Sequence, residues 1–175
     1  MNWLPGKNDT CTTCEYQENL DLLRHIYFFS GIPLDALKLF AYLCTRESFK
    51  PDDYLFHQND PAGRAFYFIS GQARLTFHSD GRELVIRDYK VGDFLGGLTL
   101  MGNIRRLFSL TALTETTCLI MSRNKFTKAL ENFPGLLPIV TNVLIDELVR
   151  WEERFLDSSL EKCAECMRKV GVSLI

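Results

Sequence analysis

The sequence predicts a mainly β protein with flanking helices, a double-stranded β-helix or jelly roll followed by one long helix. Three observations carry that expectation. Between residues 54 and 122, glycines at 63, 71, 81, 92, 96, 97 and 102 cut the chain into short pieces rich in Phe, Tyr, Val, Ile, Leu and Thr, the pattern of an antiparallel roll. Asp80-Gly81 lies between two alternating runs, a hairpin signal because both residues tolerate positive φ. Before residue 45 and after residue 122 the apolar residues recur at helical rather than alternating intervals.

Taken in order, residues 1–18 are polar, marked by Gly and Pro, and carry Cys11 and Cys14; they read as a loosely ordered arm. Leu20, Leu23, Ile26 and Tyr27 predict a helix over 19–29, capped by Asn19 or Asp21 and ended by Gly31. A second helix is expected over 32–44, with Pro33 in its first turn and Leu37, Phe40 and Ala41 as its buried stripe. Strands follow at 45–49, 54–57, 65–69, 73–78 and 83–89, then a corner at Gly96-Gly97 and two more strands at 107–112 and 117–121. Residues 124–132 form a short helix stopped by Phe133-Pro134-Gly135. A long helix runs over 136–155, and 156–169 is a further helical piece bearing Cys163 and Cys166. The division is an arm at 1–18, a roll with flanking helices at 19–133, and a helical extension at 134–175.

The long helix has two apolar sets, one at 137, 140, 144, 148, 151 and 155 and another at 139, 143, 145 and 149. Such a stripe is too wide for one flat contact. One side is expected on the roll and the other on a second copy, with Val140, Leu144, Leu148, Trp151 and Phe155 at the dimer interface.

The chain has 175 residues, 46% hydrophobic and 24% charged, with a net charge of −2. These values suit a single globular domain and give no electrostatic surplus for nucleic acid. No apolar run is long enough to span a membrane, and the N-terminus lacks a basic or hydrophobic leader, so a cytoplasmic location is expected. The dense aromatics from Tyr54 to Phe77 lack interleaved basic residues and read as core rather than a stacking platform. No nucleophile–base pair, metalloprotease helix or phosphate loop is found, so the expectation is not an enzyme.

The helix pair, glycine-punctuated roll, glycine corner, short helix and long helix come in an order that resembles the effector domain of the catabolite-activator (Crp–Fnr) regulators. The matching pieces are Phe56-His57-Gln58-Asn59-Asp60, Phe66-Tyr67-Phe68-Ile69-Ser70-Gly71, Gly92-Asp93-Phe94-Leu95-Gly96, and Arg106 with Ala112 beyond it. The resemblance covers about 19–160 and implies a cyclic-nucleotide-binding-like roll. In that family a winged helix-turn-helix follows the long helix. Here residues 158–170 resemble only its first helix, so no direct DNA binding is expected of this chain alone.

The resemblance also implies a ligand site. In relatives that bind cyclic nucleotides, a turn after the glycine corner points N–H groups at the phosphate and an arginine neutralises it. Gly96, Gly97, Leu98 and Thr99 fall at that turn. Arg106 falls at the arginine, with Arg105 as its substitute if the register is off by one. Asp146 and Glu147 on the long helix fall where a base would be met, although both could equally be solvated or paired with Arg150. Two departures stand out. The family usually has glutamate where this chain has Gly97, and Ser or Thr where it has Leu107. The ligand is therefore left open among a cyclic nucleotide, another small anion or apolar effector, and none.

Two Cys-x-x-Cys pairs, Cys11 with Cys14 and Cys163 with Cys166, add up to the four thiolates of a zinc or iron–sulfur site. The plain alternative is unligated thiols, with Cys44 and Cys118 in the core. Histidines 25, 57 and 78 are scattered and name no haem-binding pair. The expected function is an effector-sensing regulatory module that signals through a helix-mediated homodimer to another protein. The alternatives are a ligand-free interaction scaffold and a cysteine-based metal or redox sensor.

Overall fold

The computed structural model describes the backbone of residues 9–157 and the side chains of 14–156. Helix α1 spans Asp9–His25, so residues 9–18 are helical rather than a loose arm. Polar contacts from a distant strand hold this segment. Arg46 donates from Nε to Asn19 Oδ1 and from Nη2 to Glu18 Oε2, each at 2.9 Å, and lies 3.8 Å from Glu15. Asn19 is thus a buried mid-helix partner, not a cap.

The helix stops short of residue 29 because Ile26 is extended, and a single 3₁₀ turn at Tyr27–Phe29 swings Phe28 and Phe29 inward. Helix α2 (Leu34–Leu43) follows, with Pro33 as its N-cap residue and Ala36, Leu37, Phe40 and Ala41 buried. Pro suits that place because its missing N–H would have no helical partner.

Eight strands come next, interrupted by one helical turn. They are β1 (Thr45–Phe49), β2 (Tyr54–Phe56), β3 (Arg64–Ser70), β4 (Gln72–Ser79), β5 (Arg82–Lys90), β6 (Phe94–Leu95), β7 (Ser109–Ala112) and β8 (Thr116–Ser122). They form two four-stranded sheets, ordered β1-β8-β3-β6 and β2-β7-β4-β5, with antiparallel pairing throughout. Asp80 and Gly81 turn the β4–β5 hairpin with φ of 52° and 73°, the doubly positive geometry that matches strand twist.

Strand alternation divides the core in two. Phe66, Phe68, Leu75, Leu110, Ala112, Cys118 and Ile120 fill the space between the sheets. On the outer face of the first sheet, Ala65, Leu119 and Met121 meet Phe28, Phe29, Phe40, Phe126, Leu136 and Val140. Strands β3 and β8 are therefore covered on both sides, which is why their sequences are nearly continuously apolar.

Helix α4 (Arg123–Asn132) and helix α5 (Leu136–Asp157) complete the described chain. Val140 has no exposed surface and belongs to the outer-face core, with Leu144 packed beside it. Val140 thus faces the protein's own roll, not an external partner. Leu148 and Trp151 are exposed, as are Ile145 and Val149. Among the described residues no helix is long and apolar enough to cross a membrane. Cys163, Cys166 and the helical piece expected over 158–169 lie outside the described residues.

Candidate functional site

The site is built where β6 ends. Leu95 pairs with Phe66 of β3, and the chain then reverses at Gly96, whose φ is +101°. A Cβ there would sit 2.9 Å from the Arg64 carbonyl oxygen and 3.0 Å from Ala65 Cα, so only glycine permits this approach. Helix α3 (Gly97–Met101) is one turn long and buries Thr99 and Leu100. It contributes N–H donors at its start but little aligned dipole. The Thr99 hydroxyl lies 2.7 Å from the Gly96 carbonyl oxygen and 3.0 Å from that of Arg64.

The chain returns along residues 59–62. Arg106 N–H donates to the Asp60 carbonyl at 2.9 Å, Asn59 N–H donates to the Arg106 carbonyl at 2.8 Å, and Pro61 bridges to Arg105. Because side chains alternate along extended backbone, this register turns Arg106 inward and Arg105 outward. Arg106 is 7% exposed and Arg105 is open to solvent. Arg106 is thus the inward arginine of the pair.

The Arg106 guanidinium lies with Cζ 4.0 Å from the centre of the Phe56 ring and 5.6 Å from that of Phe66, and its Nη2 donates to the Arg64 carbonyl. Among the described residues no carboxylate comes within ion-pair distance of it. Burial, and then the neighbouring Arg64 guanidinium, push its pKa down to about 10, with Asp60 acting weakly in the other direction. Arg64 is itself ion-paired with Glu47.

Between the corner and the second sheet lies a recess of about 310 Å³. Gly96, Gly97, Leu98, Thr99, Arg105, Arg106 and Leu107 all border it, so seven of the positions expected from the sequence come together. The rest of its wall is Phe56, Leu75, Tyr89, Leu95, Ile104 and Phe108, and no carboxylate, carboxamide or imidazole lines it. Asp146 and Glu147 do not reach it. Both are exposed on α5; Glu147 lies 3.6 Å from Arg150, which also donates from Nε to the Asp146 carbonyl at 3.2 Å. Glu147 instead borders a neighbouring cleft of about 460 Å³ on the other side of the corner, with His25, Tyr27, Asp93 and Leu144.

Sequence reasoning did not find the apolar wall. Its residues come from β2, β4, β5, β6 and the 102–108 loop, and only the alternation of their strands signalled that some would point inward. It also missed the partner of Gly97. A Cβ at that position would fall 2.7 Å from Phe28 Cδ2 and 2.9 Å from Cε2. Phe28 is held in an aromatic cluster, stacked on Phe94 at 5.4 Å and close to Phe29 and Phe126. A side chain at 97, acidic or not, would therefore have to displace this ring.

Among the described residues no group of three or more His, Cys, Asp or Glu side chains is placed to hold a metal. Cys14 is exposed on α1, and the side chain of Cys11 and all of Cys163 and Cys166 lie outside the described set. Burial raises the thiols of Cys44 and Cys118 from 9.0 to about 12, which favours neutral thiols over ligating thiolates.

Comparison with known proteins bears on this geometry. The profile of the cyclic nucleotide-binding domain matches residues 46–133. A cAMP-dependent protein kinase regulatory subunit from Hypocrea atroviridis is 33% identical over 91 residues, which is 52% of this chain; the match spans 19% of that relative's length. The solved cyclic nucleotide-binding-like protein from Brucella abortus superposes with a TM-score of 0.60 at 25% identity, covering 65% of this chain and 98% of that one. The catabolite activator protein of Thermus thermophilus gives 0.61 at 23% identity, covering 78% and 61% respectively; that likeness is one of fold. Since the matched segment runs from β1 through α4, taking in the whole roll and both loops that enclose the Arg106 recess, this chain belongs to the cyclic nucleotide-binding domain family.

Proposed function

We propose that this chain is a regulatory module, not a catalyst, that senses a small anion in the Arg106 recess and signals through α5 to a second copy and on to another protein. One observation carries the reading: Arg106, as a residue only 7% exposed, borders an open recess without a carboxylate partner among the described residues. Removing a charge from water costs several kcal/mol on the order-of-magnitude scale, and a forked contact from an incoming anion offsets that cost. The similarity to a kinase regulatory subunit supports a sensing role.

The same turn that borders the recess touches the elements beneath α5. Gly97 abuts Phe28, and the adjacent Tyr27 ring lies 4.0 Å from the Arg150 guanidinium of α5. A ligand that draws Leu98 and Arg106 together displaces the Gly97 turn, and the tightly packed Phe28 carries the shift to Tyr27 and Arg150. Differential contact in two α5 arrangements then biases the dimer. The test is thermal melting of the wild type and of Arg106→Gln with cyclic AMP, cyclic GMP and small organic carboxylates. An upward shift in the wild type that the variant lacks is expected. If no anion in the panel shifts the wild type, the sensor reading fails and a ligand-free scaffold remains.

A further inference from the structure

The composition of the recess wall narrows the kind of anion it takes. We infer that the recess selects a hydroxyl-poor anion, a carboxylate on a flat aromatic or branched hydrocarbon body, and discriminates against ribose-bearing nucleotides. This rests on the Arg106 reading above.

A ribose brings hydroxyl groups that need acceptors once water is excluded. No carboxylate, carboxamide or imidazole lines the recess. Two side-chain hydroxyls stand on its wall: that of Thr99 is already directed at the Gly96 and Arg64 carbonyls, the latter also accepting from Arg106, which leaves the Tyr89 phenol as the single side-chain partner for the several hydroxyls of a nucleotide sugar. Position 97 gains an acceptor only by displacing the Phe28 ring, which any Cβ there would meet at 2.7 Å. A sugar hydroxyl left without a partner in such a site weakens binding by roughly ten- to a hundredfold.

The mouth points the same way. Leu98, Ile104 and Leu107 are 50%, 43% and 68% exposed, and all three border the recess. A planar or branched hydrocarbon body covers these side chains, while its carboxylate reaches Arg106 within. The volume of about 310 Å³ suits a compact ligand.

The probe is 2-naphthoate, titrated calorimetrically into the full chain alongside its neutral counterpart 2-naphthalenemethanol and cyclic AMP. The expected result is one naphthoate site, at least tenfold tighter than the alcohol or cyclic AMP, and lost in Arg106→Gln. Because Arg106 is buried, Leu98→Asp serves as a second variant. It places a repelling charge at an exposed position and is expected to weaken naphthoate at least tenfold with an unchanged melting temperature. Cyclic AMP binding more tightly than naphthoate, in an Arg106-dependent way, overturns the ligand class and leaves the anion sensor standing. Equal binding of alcohol and carboxylate that is indifferent to Arg106, or no binding of any of the three, overturns both.

Discussion

The guanidinium of Arg106 rests 4.0 Å from the centre of the Phe56 ring, so the fold holds a buried cation with an aromatic face and one carbonyl in place of a carboxylate. Its pKa lies below its ordinary value, at about 10. The unfolded chain therefore binds that proton more tightly, and at neutral pH the charge opposes folding.

Arg106→Met follows from this balance. The cation–π contact is worth about 2 kcal/mol when desolvated and the charged hydrogen bond about 1.5–3 kcal/mol, against a desolvation cost of several kcal/mol. Urea denaturation of the ligand-free variant is expected to give a stability within about 1 kcal/mol of the wild type. A loss above about 3 kcal/mol would make the guanidinium a structural strut instead of a docking point.

Gly97→Glu restores the acidic residue common in the resembled regulators, yet its Cβ would lie 2.7 Å from Phe28 Cδ2. Overpacking of this kind costs about 1–3 kcal/mol, and Phe→Ala in a core about 3–5 kcal/mol. If the ring is what excludes a side chain at 97, Phe28→Ala relieves the clash. The double variant is then less destabilised than the sum of the two by at least about 1 kcal/mol. Denaturation of the four proteins measures this coupling, and simple additivity would falsify the packing explanation. No gain in cyclic AMP affinity is expected from Gly97→Glu alone.

Cys118 lies fully buried between the sheets, and burial first, then Glu47, raises its thiol from 9.0 to about 12. Below pH 9.0 the thiol is neutral in both folded and unfolded chains and its contribution to stability is intact. Above that value the unfolded thiol ionises while the folded one does not, so stability falls as pH rises towards 12. One such group contributes a slope of about 1.4 kcal/mol per pH unit at 25 °C. Cys118→Ala is expected to flatten the alkaline limb by that amount in urea denaturation between about pH 9 and 10.5. Parallel limbs in the two proteins would mean that the folded thiol ionises normally.

Local signals made much of this legible in advance. The Asp80-Gly81 hairpin, the break at Phe133-Pro134-Gly135 and the corner at Gly96 each depend on a few adjacent residues, and each lies where its local chemistry puts it. Arg106 could be placed because the corner and the arginine share one short segment. The rest depends on contacts between distant parts of the chain. Helix α1 is anchored by Arg46, 27 and 28 residues beyond Asn19 and Glu18. Gly97 is constrained by a ring from the 3₁₀ turn. Periodicity predicts two apolar sides for α5 but not its rotation against the roll, which buries Val140 in the protein's own core and leaves Asp146 and Glu147 exposed outside the Arg106 recess.

That rotation defines the outer face of α5. Leu137, Ile145, Leu148 and Leu156 are exposed on α5 at spacings of 8, 3 and 8 residues, which puts them on one face. Trp151 stacks on Phe155 at 5.8 Å beside that face. If a second copy packs here, Leu148→Asp buries an unpaired carboxylate in the interface. The dimer dissociation constant, read by sedimentation, should then weaken by at least about a hundredfold while the melting of the roll is preserved. Val140→Asp, at a position with no exposed surface in the protein's own core, is expected to unfold the chain instead. A wild type that sediments as a monomer at about 100 μM, where a dissociation constant in the usual micromolar range would already favour the dimer, removes α5 as the dimer helix.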